Sequence, residues 1–326
     1  MRRRALPDGT PITELGLGAA QFGNLYRETS DAASREAVDA AWEAGVRYFD
    51  TAPHYGLGLS ERRLGAALRD RPRDEYLLST KVGRIIEPNP DGAGRLDDEG
   101  FAVPATLRRR WDFSRDGILR SIEESLGRLG LDRIDIAYLH DPDEHWEAAS
   151  TTGVAALVEL RDQGVIRAIG AGMNQSAMLA EFVRRCDVDL MMCAGRYTLL
   201  EQGASDDLLP AAIERGVGIV AAGVYNSGLL SRTTVPDDAS YDYGAAPAAV
   251  LSRARAIAAV CERHGVTLPE AAVQFPLRHP AVVSVVLGTR TADQLRSGVA
   301  RLEARIPDAL WADLVAEGLL TDPAAA

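Results

Sequence analysis

The chain has 326 residues, of which 46% are hydrophobic and 25% charged, a balance typical of a folded globular protein and not of a disordered or fibrous one. Its formal net charge of −11 argues against nucleic acid or an anionic membrane as partners. No apolar stretch approaches the ~18 residues of a transmembrane helix, and no signal peptide is expected. The three cysteines form no CxxC motif and are expected to be reduced and buried. We therefore expect a cytoplasmic monomer or small homo-oligomer that acts on a small molecule.

Short apolar runs alternate with longer segments of helical period along the whole chain. Strands are predicted near Ile12–Ala19, Tyr48–Asp50, Tyr76–Val82, Ile134–His140, Val165–Gly172, Val188–Ala194, Val217–Gly223 and Val282–Gly288. Helices are predicted near Ser34–Ala44, Ser60–Leu68, Ser114–Leu129, Gly153–Gln163, Ser176–Cys186, Asp206–Arg215, Pro247–His264, Leu268–Phe275 and Thr291–Ala304. Eight strand–helix units in series favour an α/β fold, a (β/α)8 TIM barrel that forms a single domain over residues 1–326.

An open doubly wound sheet is the alternative, and it would normally carry a glycine-rich turn after its first strand. The best glycine cluster, Gly56-Leu57-Gly58-Leu59-Ser60-Glu61, has Glu61 where a GxGxxG motif needs its third glycine. We interpret this cluster as a loop that leads to a helix N-cap at Ser60. This interpretation favours the barrel.

Two predicted connections are long, residues 83–113 after the third strand and residues 225–246 after the seventh. Long loops in a compact domain are often functional lids, and both would leave the carboxyl ends of barrel strands. The run Arg108-Arg109-Arg110 in the first of them is interpreted as solvated or ion-paired, because the chain as a whole is acidic.

Ionisable side chains stand at or just beyond the ends of three consecutive predicted strands: Asp50 and Tyr55, then Lys81, then His140. Because carboxyl strand ends meet at one rim of a barrel, these groups are expected to converge there. The alternative is structural, with Asp50 and Lys81 as a buried ion pair and His140 held by backbone groups. Their occurrence together on adjacent strands favours a functional site.

The four residue types suit proton transfer at an oxygen atom. A tyrosine has an ordinary pKa near 10, and a neighbouring ammonium group favours its phenolate form. A carboxylate would hold that ammonium in place, and a neutral imidazole could orient a carbonyl or hydroxyl oxygen. Side chains cannot accept a hydride, whereas a nicotinamide can. The set therefore points to oxidoreduction with a nicotinamide cofactor.

The stretch 48–56, with Ser60-Glu61 and Leu64-Gly65 behind it, resembles the signature of the aldo-keto reductase family. Residues 79–83 and 121–140 resemble its second and third conserved blocks, and the similarity continues to residues 286–290. The resemblance implies a (β/α)8 barrel and a bound NAD or NADP. It also implies a catalytic tetrad, with Tyr55 as the general acid/base, made of Asp50, Tyr55, Lys81 and His140.

A narrower resemblance is carried by residues 140–145, 172–175, 194–200 and 225–228. These segments are similar to the branch of the family that contains aldose 1-dehydrogenases and pyridoxal 4-dehydrogenases. The resemblance implies oxidation at C1 of an L-fucose, D-arabinose or L-galactose type of sugar to its lactone. Alternatives are a pyridoxal dehydrogenase, a general aldehyde or ketone reductase, and a cofactor-binding regulatory subunit without turnover.

The cofactor contacts implied by the resemblance lie after the fifth, seventh and eighth strands: Asn174, Ser227, Gly228, Gly288, Thr289, Arg290 and Gln294. Arg290 could bind the 2′-phosphate of NADP. Gln294 stands where many NADP-dependent relatives have arginine, which slightly favours NAD.

Four residues are nominated as substrate contacts: Phe22, His54, Trp111 and Asp141. Trp111 could stack on a sugar or pyridine ring, or it could anchor its loop. A metal-dependent hydrolase is a further alternative, because residues 140–145 contain two histidines and three acidic residues. This segment lacks H-E-x-x-H spacing, so no metal is expected.

Overall fold

The structure is a computed structural model that describes residues 1–242 and 244–321. Eight parallel strands close into a barrel in chain order. They are β1 Leu15–Gly18, β2 Tyr48–Asp50, β3 Leu77–Val82, β4 Ile136–His140, β5 Ala168–Met173, β6 Leu190–Ala194, β7 Gly218–Ala222 and β8 Val282–Gly288. Closure is made by β8 on β1, with Val285 paired to Leu15 and Gly288 to Gly18. The predicted barrel is confirmed.

The helices cover the outside of the barrel and bury a large apolar core against the strands. Those of seven or more residues are α1 Asp31–Glu43, α2 Leu59–Leu68, α3 Arg115–Leu129, α4 Val154–Asp162, α5 Ser176–Arg185, α6 Leu208–Arg215, α7 Ala248–Arg263, α8 Leu268–Gln274, α9 Ala292–Glu303 and α10 Asp308–Ala316. All except α10 were predicted. All three cysteines are buried and unpaired, as expected. No helix in the described ranges is both long and apolar enough to cross a membrane.

A short antiparallel hairpin, Arg3–Ala5 with Pro11–Thr13, precedes the barrel. Leu6 and Ile12 of this hairpin belong to the apolar cluster that includes Tyr48 and Tyr138 of the barrel strands. The Arg4 guanidinium donates hydrogen bonds to the carbonyl oxygens of Leu277, at 2.5 Å, and Val282, at 2.7 Å. The hairpin is thereby tied to the start of β8, at the amino ends of the strands. The predicted first strand, Ile12–Ala19, is in fact the end of this hairpin followed by β1.

The first long connection is not a simple loop, because it contains an antiparallel hairpin of Arg84–Pro88 with Leu107–Trp111. The arginine run, predicted to be solvated or ion-paired, lies on its second strand. Arg108 and Arg110 both bind Glu87, at 2.8 and 3.0 Å, and Arg109 binds Asp97 at 2.5 Å. The described part of the second connection contains a smaller hairpin, Ser240–Tyr241 with Gly244–Ala245.

The predicted N-cap at Ser60 is wrong, since α2 begins at Leu59 after Gly58, whose φ is 83°. Glycine reaches this left-handed conformation at little cost, so it starts the helix two residues earlier. The Ser60 hydroxyl instead donates to the Ala19 carbonyl oxygen at 2.7 Å and lies 2.8 Å from the Thr51 hydroxyl. Ser60 thus joins the loops that follow β1 and β2.

Candidate active site

The rim at the carboxyl ends of β2, β3 and β4 holds a buried ion pair. Asp50 is the last residue of β2 and Lys81 lies one residue before the end of β3. The Lys81 Nζ donates to the Asp50 carboxylate oxygens at 2.8 and 3.0 Å and to the Thr51 carbonyl oxygen at 3.0 Å. The Ser79 hydroxyl donates to Asp50 Oδ1 at 2.7 Å. These contacts hold the ammonium group in one position.

Tyr55 and His140 lie against this ion pair. The Tyr55 ring centroid is 4.8 Å from Lys81 Nζ and 5.7 Å from the His140 ring centroid. Phe101, from the loop that follows β3, packs near Tyr55 with a centroid distance of 6.1 Å. The structure therefore brings the four residues of the predicted tetrad together at one rim.

Burial sets the ionisation of the Tyr55 phenol. Burial raises its pKa, the Lys81 ammonium acts in the opposite direction, and the net result lies above the ordinary value of 10.0. The ammonium favours phenolate, as predicted, but it does not overcome burial in the free protein. Burial alone would lower the pKa of Lys81, yet the Asp50 carboxylate outweighs it, and that pKa is raised. Lys81 is therefore a permanent cation.

Burial keeps the His140 imidazole neutral. Burial first, and then the positive charges of Arg84 and Lys81, lower its pKa well below the ordinary value of 6.5. Its Nε2 lies 3.5 Å from Asp141 Oδ2, and its buried Nδ1 has no hydrogen-bond partner among the described residues. A neutral imidazole at this point can hydrogen-bond an oxygen atom of a ligand.

Arg84 was not predicted, yet it links two of the nominated substrate contacts. Its Nη2 donates to Asp141 Oδ2 at 2.5 Å, and its Nη1 donates to His54 Nδ1 at 3.2 Å. Burial and the Arg84 charge lower the pKa of His54 to about 2, so its imidazole is neutral. The only signal in the sequence was the position of Arg84, three residues beyond Lys81. The hairpin that directs its side chain to the site was not foreseen.

The other two nominated contacts differ from each other. Phe22 is completely buried in the apolar core, and its assignment to the substrate stays a prediction. Trp111 is 38% exposed, stacks on Phe113 at 5.8 Å and lies 4.3 Å from the Arg84 guanidinium carbon. Trp111 therefore anchors the hairpin and also keeps an open surface.

Arg290, just beyond the end of β8, is hydrogen-bonded to the segment after β1, and its contact with the cofactor stays a prediction. Its guanidinium donates to the carbonyl oxygens of Leu25, at 2.7 Å, and Arg27, at 2.9 Å, and it also binds the Thr29 hydroxyl. These bonds engage Arg290 in holding the segment after β1. Gln294 accepts a hydrogen bond from the Arg290 backbone N–H at 2.8 Å.

The remaining predicted cofactor residues surround the same rim. Gly288 is exposed at the end of β8, where a Cβ would lie 2.6 Å from the Gln21 amide. Thr289 is buried and donates to the Leu287 carbonyl oxygen at 3.1 Å. Ser227 and Gly228 are exposed in left-handed conformations with φ of 58° and 92°. Asn174 is partly exposed just beyond β5.

These features suit a dinucleotide diphosphate. The N-terminus of α9, capped by the Thr291 side chain, carries backbone N–H groups and a positive helix dipole. Residues 226–228 are consecutive left-handed turn residues, in which the Asn226 and Gly228 N–H groups already donate to the carbonyl oxygens of Gly223 and Tyr225. In the described part of the chain, no group of three or more histidine, cysteine or acidic residues is placed to hold a metal ion, and this includes residues 140–145.

The sequence matches the Aldo/keto reductase family over residues 14–316. The chain belongs to this family. It is an oxidoreductase, and enzymes of the family use NAD(P). The chain is 50% identical to the D-threo-aldose 1-dehydrogenase of a Pseudomonas species, covering 97% of both chains. It is 38% identical to the pyridoxal 4-dehydrogenase of Microbacterium luteolum, covering 96% of both.

Solved structures agree with this assignment. The holo form of the aldo-keto reductase AKR11C1 from Bacillus halodurans superimposes with a TM-score of 0.76 at 26% identity. The comparison covers 99% of this chain and 97% of the other.

Proposed function

We propose that this single-domain barrel enzyme oxidises a neutral aldose at C1 to the corresponding lactone. The observation that carries the proposal is the placement of the Tyr55 ring next to both a fixed Lys81 ammonium and a neutral His140 imidazole. Half of its residues are identical to those of a D-threo-aldose 1-dehydrogenase, which supports a sugar of the L-fucose, D-arabinose or L-galactose type.

In this mechanism, Tyr55 takes the proton of the anomeric hydroxyl group. Lys81 stabilises the phenolate that accepts it, and Asp50 holds Lys81 in place. His140, being neutral, orients the same oxygen by a hydrogen bond. A bound nicotinamide would supply the hydride acceptor for C1. The chain thus provides acid–base chemistry at oxygen while the cofactor provides redox chemistry at carbon.

We propose that the cofactor is NAD rather than NADP. Arg290, near the α9 N-terminus, binds backbone carbonyl groups, and the exposed Arg296 side chain lies 3.2 Å from Asp293. Gln294 provides no positive charge. Contacts to the dinucleotide are assigned to Asn174, Ser227, Gly228, Gly288, Thr289 and Gln294.

Turnover tests both proposals. Absorbance at 340 nm is followed for L-fucose, D-arabinose, L-galactose and pyridoxal, each with NAD and with NADP. We expect the sugars to be oxidised with a higher kcat/KM than pyridoxal, and NAD to exceed NADP. Carbon-13 NMR of the product should show a lactone. A higher kcat/KM for pyridoxal would support the second candidate, which the 38% identity to a pyridoxal 4-dehydrogenase favours. No turnover of any sugar would overturn the first.

A further inference from the structure

We propose that Arg84 is a specificity-determining residue that, with Asp141, binds neighbouring hydroxyl groups of an uncharged sugar. This inference rests on the proposed function and extends it to a residue and a class of substrate. Arg84 opens the hairpin strand directly after β3, so the strand that supplies Lys81 also positions this guanidinium.

The Arg84 side chain is held rigidly on several sides. Asp141 and His54 bind its two terminal nitrogens, and the Trp111 ring lies 4.3 Å from the guanidinium carbon. Arg84 as a whole is only 8% exposed. A guanidinium fixed in this way loses little conformational entropy when it binds a ligand.

The held guanidinium still has donors to offer. A guanidinium carries five N–H groups, and Arg84 uses one toward Asp141 and one toward His54. Its buried Nε has no hydrogen-bond partner among the described residues. Asp141 is half-buried, and its carboxylate adds acceptors next to these donors. A vicinal diol matches such a pair, since each hydroxyl both donates and accepts.

Arg84 and Asp141 lie within reach of the reacting groups. Asp141 Oδ2 binds Arg84 and is also 3.5 Å from His140 Nε2. The His54 ring, which accepts from Arg84, has its centroid 5.4 Å from that of His140 and 5.8 Å from that of Tyr55. A sugar with its anomeric oxygen at Tyr55 and His140 would therefore reach Arg84 with its next hydroxyl groups.

The charges beside the site favour a neutral substrate. Arg84 pairs with Asp141 and lies 3.7 Å from Glu99, while Arg109 pairs with Asp97 and lies 3.6 Å from Glu99. Two guanidinium groups thus face three carboxylates, which leaves no surplus positive charge for a phosphate group. Binding a phosphate dianion here would require breaking these ion pairs.

Monodeoxy sugars test the proposal. Wild-type enzyme, Arg84→Met and Arg84→Lys are compared on a sugar that the wild type oxidises and on its deoxy analogues at each hydroxyl-bearing ring carbon other than C1. In the wild type, at least one deoxy position should lower kcat/KM by about tenfold or more. In Arg84→Met, kcat/KM for the parent sugar should fall by a similar factor, mainly because KM rises. Removing the hydroxyl at that same position should then lower kcat/KM of the variant little further. Arg84→Lys should recover part of the loss.

The control is Arg108→Met, on the same hairpin but exposed and paired with Glu87. It should keep the wild-type preference among deoxy sugars. Nucleotide binding by fluorescence titration should be unchanged in Arg84→Met, which shows that the barrel is intact. The role of Arg84 would be overturned if Arg84→Met lowered kcat/KM equally for the parent sugar and every deoxy analogue, or did not lower it for any of them. If inorganic phosphate competed with the sugar in the wild type, the claim that this site takes uncharged sugars would be overturned. A wild type that oxidises no aldose would instead overturn the proposed function, and this inference with it.

Discussion

Asp50 and Lys81 form a buried ion pair whose members are 3% and 2% exposed. Such a pair gains little net stability, because the loss of hydration offsets most of the attraction between the charges. Its value here is positional, since it fixes a positive charge beside a phenol. Tyr48 and Tyr138 lie near this pair, and the Tyr48 hydroxyl is 3.0 Å from that of Ser79, which donates to Asp50.

Tyr55→Phe tests the acid–base assignment. Removing the hydroxyl should lower kcat by about 100-fold or more, the usual contribution of a general acid–base group, while nucleotide binding is retained. Steady-state kinetics and fluorescence titration measure the two effects. Tyr76→Phe is the matched control, because its buried hydroxyl has no hydrogen-bond partner in the described structure. Near-normal turnover by Tyr55→Phe would show that another group moves the proton.

The pH dependence follows from the raised pKa of Tyr55. In the proposed mechanism, oxidation of the sugar needs the phenolate, so kcat should rise with pH, about tenfold per unit below that pKa when chemistry limits the rate. The neutral pair Asp50→Asn with Lys81→Met avoids leaving one buried charge unpaired. It removes the largest influence that lowers the Tyr55 pKa, so the rising limb should move to higher pH. A profile that stays in place would contradict the role of Lys81.

At the scale of elements, the turn between β2 and α2 decides where Tyr55 lies. Gly56 has a φ of 62°, and a Cβ on it would lie 2.2 Å from the Gly23 carbonyl oxygen. A Cβ on Gly23 would in turn lie 2.5 Å from the Tyr55 carbonyl carbon. The segment after β1 therefore packs backbone to backbone against the turn that carries Tyr55, and only glycine permits this approach.

Gly56→Ala should move Tyr55 and lower kcat by about 100-fold, because small displacements of a reacting group have large effects on rate. It should also cost about 1–3 kcal/mol of unfolding free energy from the strained backbone. Gly94→Ala is the control, since Gly94 has a similar φ of 76° but no atom within 4 Å of a Cβ. Gly94→Ala should lower the free energy of unfolding but leave kcat unchanged. Equal kcat values for both variants and the wild type would refute the packing argument.

At the scale of the whole molecule, the barrel needs closure at its amino end as well as a site at its carboxyl end. The N-terminal hairpin supplies Leu6 and Ile12 to the cluster inside the barrel, and Ile12 is 1% exposed. Stability and catalysis thus depend on opposite ends of the same barrel strands.

Ile12→Ala should lower the free energy of unfolding by about 2–5 kcal/mol, as for other large-to-small changes in a core. Urea unfolding followed by circular dichroism measures this effect. Turnover well below the melting temperature should be unchanged, because the hairpin is remote from Tyr55. Ile213→Ala, at a site that is 53% exposed, should change stability by less than about 0.5 kcal/mol. A large loss of kcat in Ile12→Ala would mean that packing at the amino end of the barrel affects the site at its carboxyl end.

Much of this architecture could be predicted from the sequence, because local patterns encode it. Alternating apolar runs and helical periods predicted the eight barrel strands and nine of the helices. Strand ends carrying Asp50, Lys81 and His140 predicted a shared rim, since parallel strands present their carboxyl ends together. The errors in local structure were the N-terminal hairpin, the hairpin after β3, the N-cap of α2 at Gly58 rather than Ser60, and the missed helix α10.

Contacts between distant segments were decided only by the tertiary structure. Arg84 reaches Asp141 because a hairpin folds over the rim, and Arg290 binds backbone groups some 260 positions earlier in the chain. The pKa of Tyr55 depends on how completely the surrounding segments exclude water. This desolvation raises the pKa, whereas the nearby Lys81 ammonium lowers it. Sequence pattern determined which residue types stand at each strand end, because periodicity is local. Their charge states and partners came from three-dimensional packing, because desolvation and ion pairing depend on neighbours that are remote in the chain.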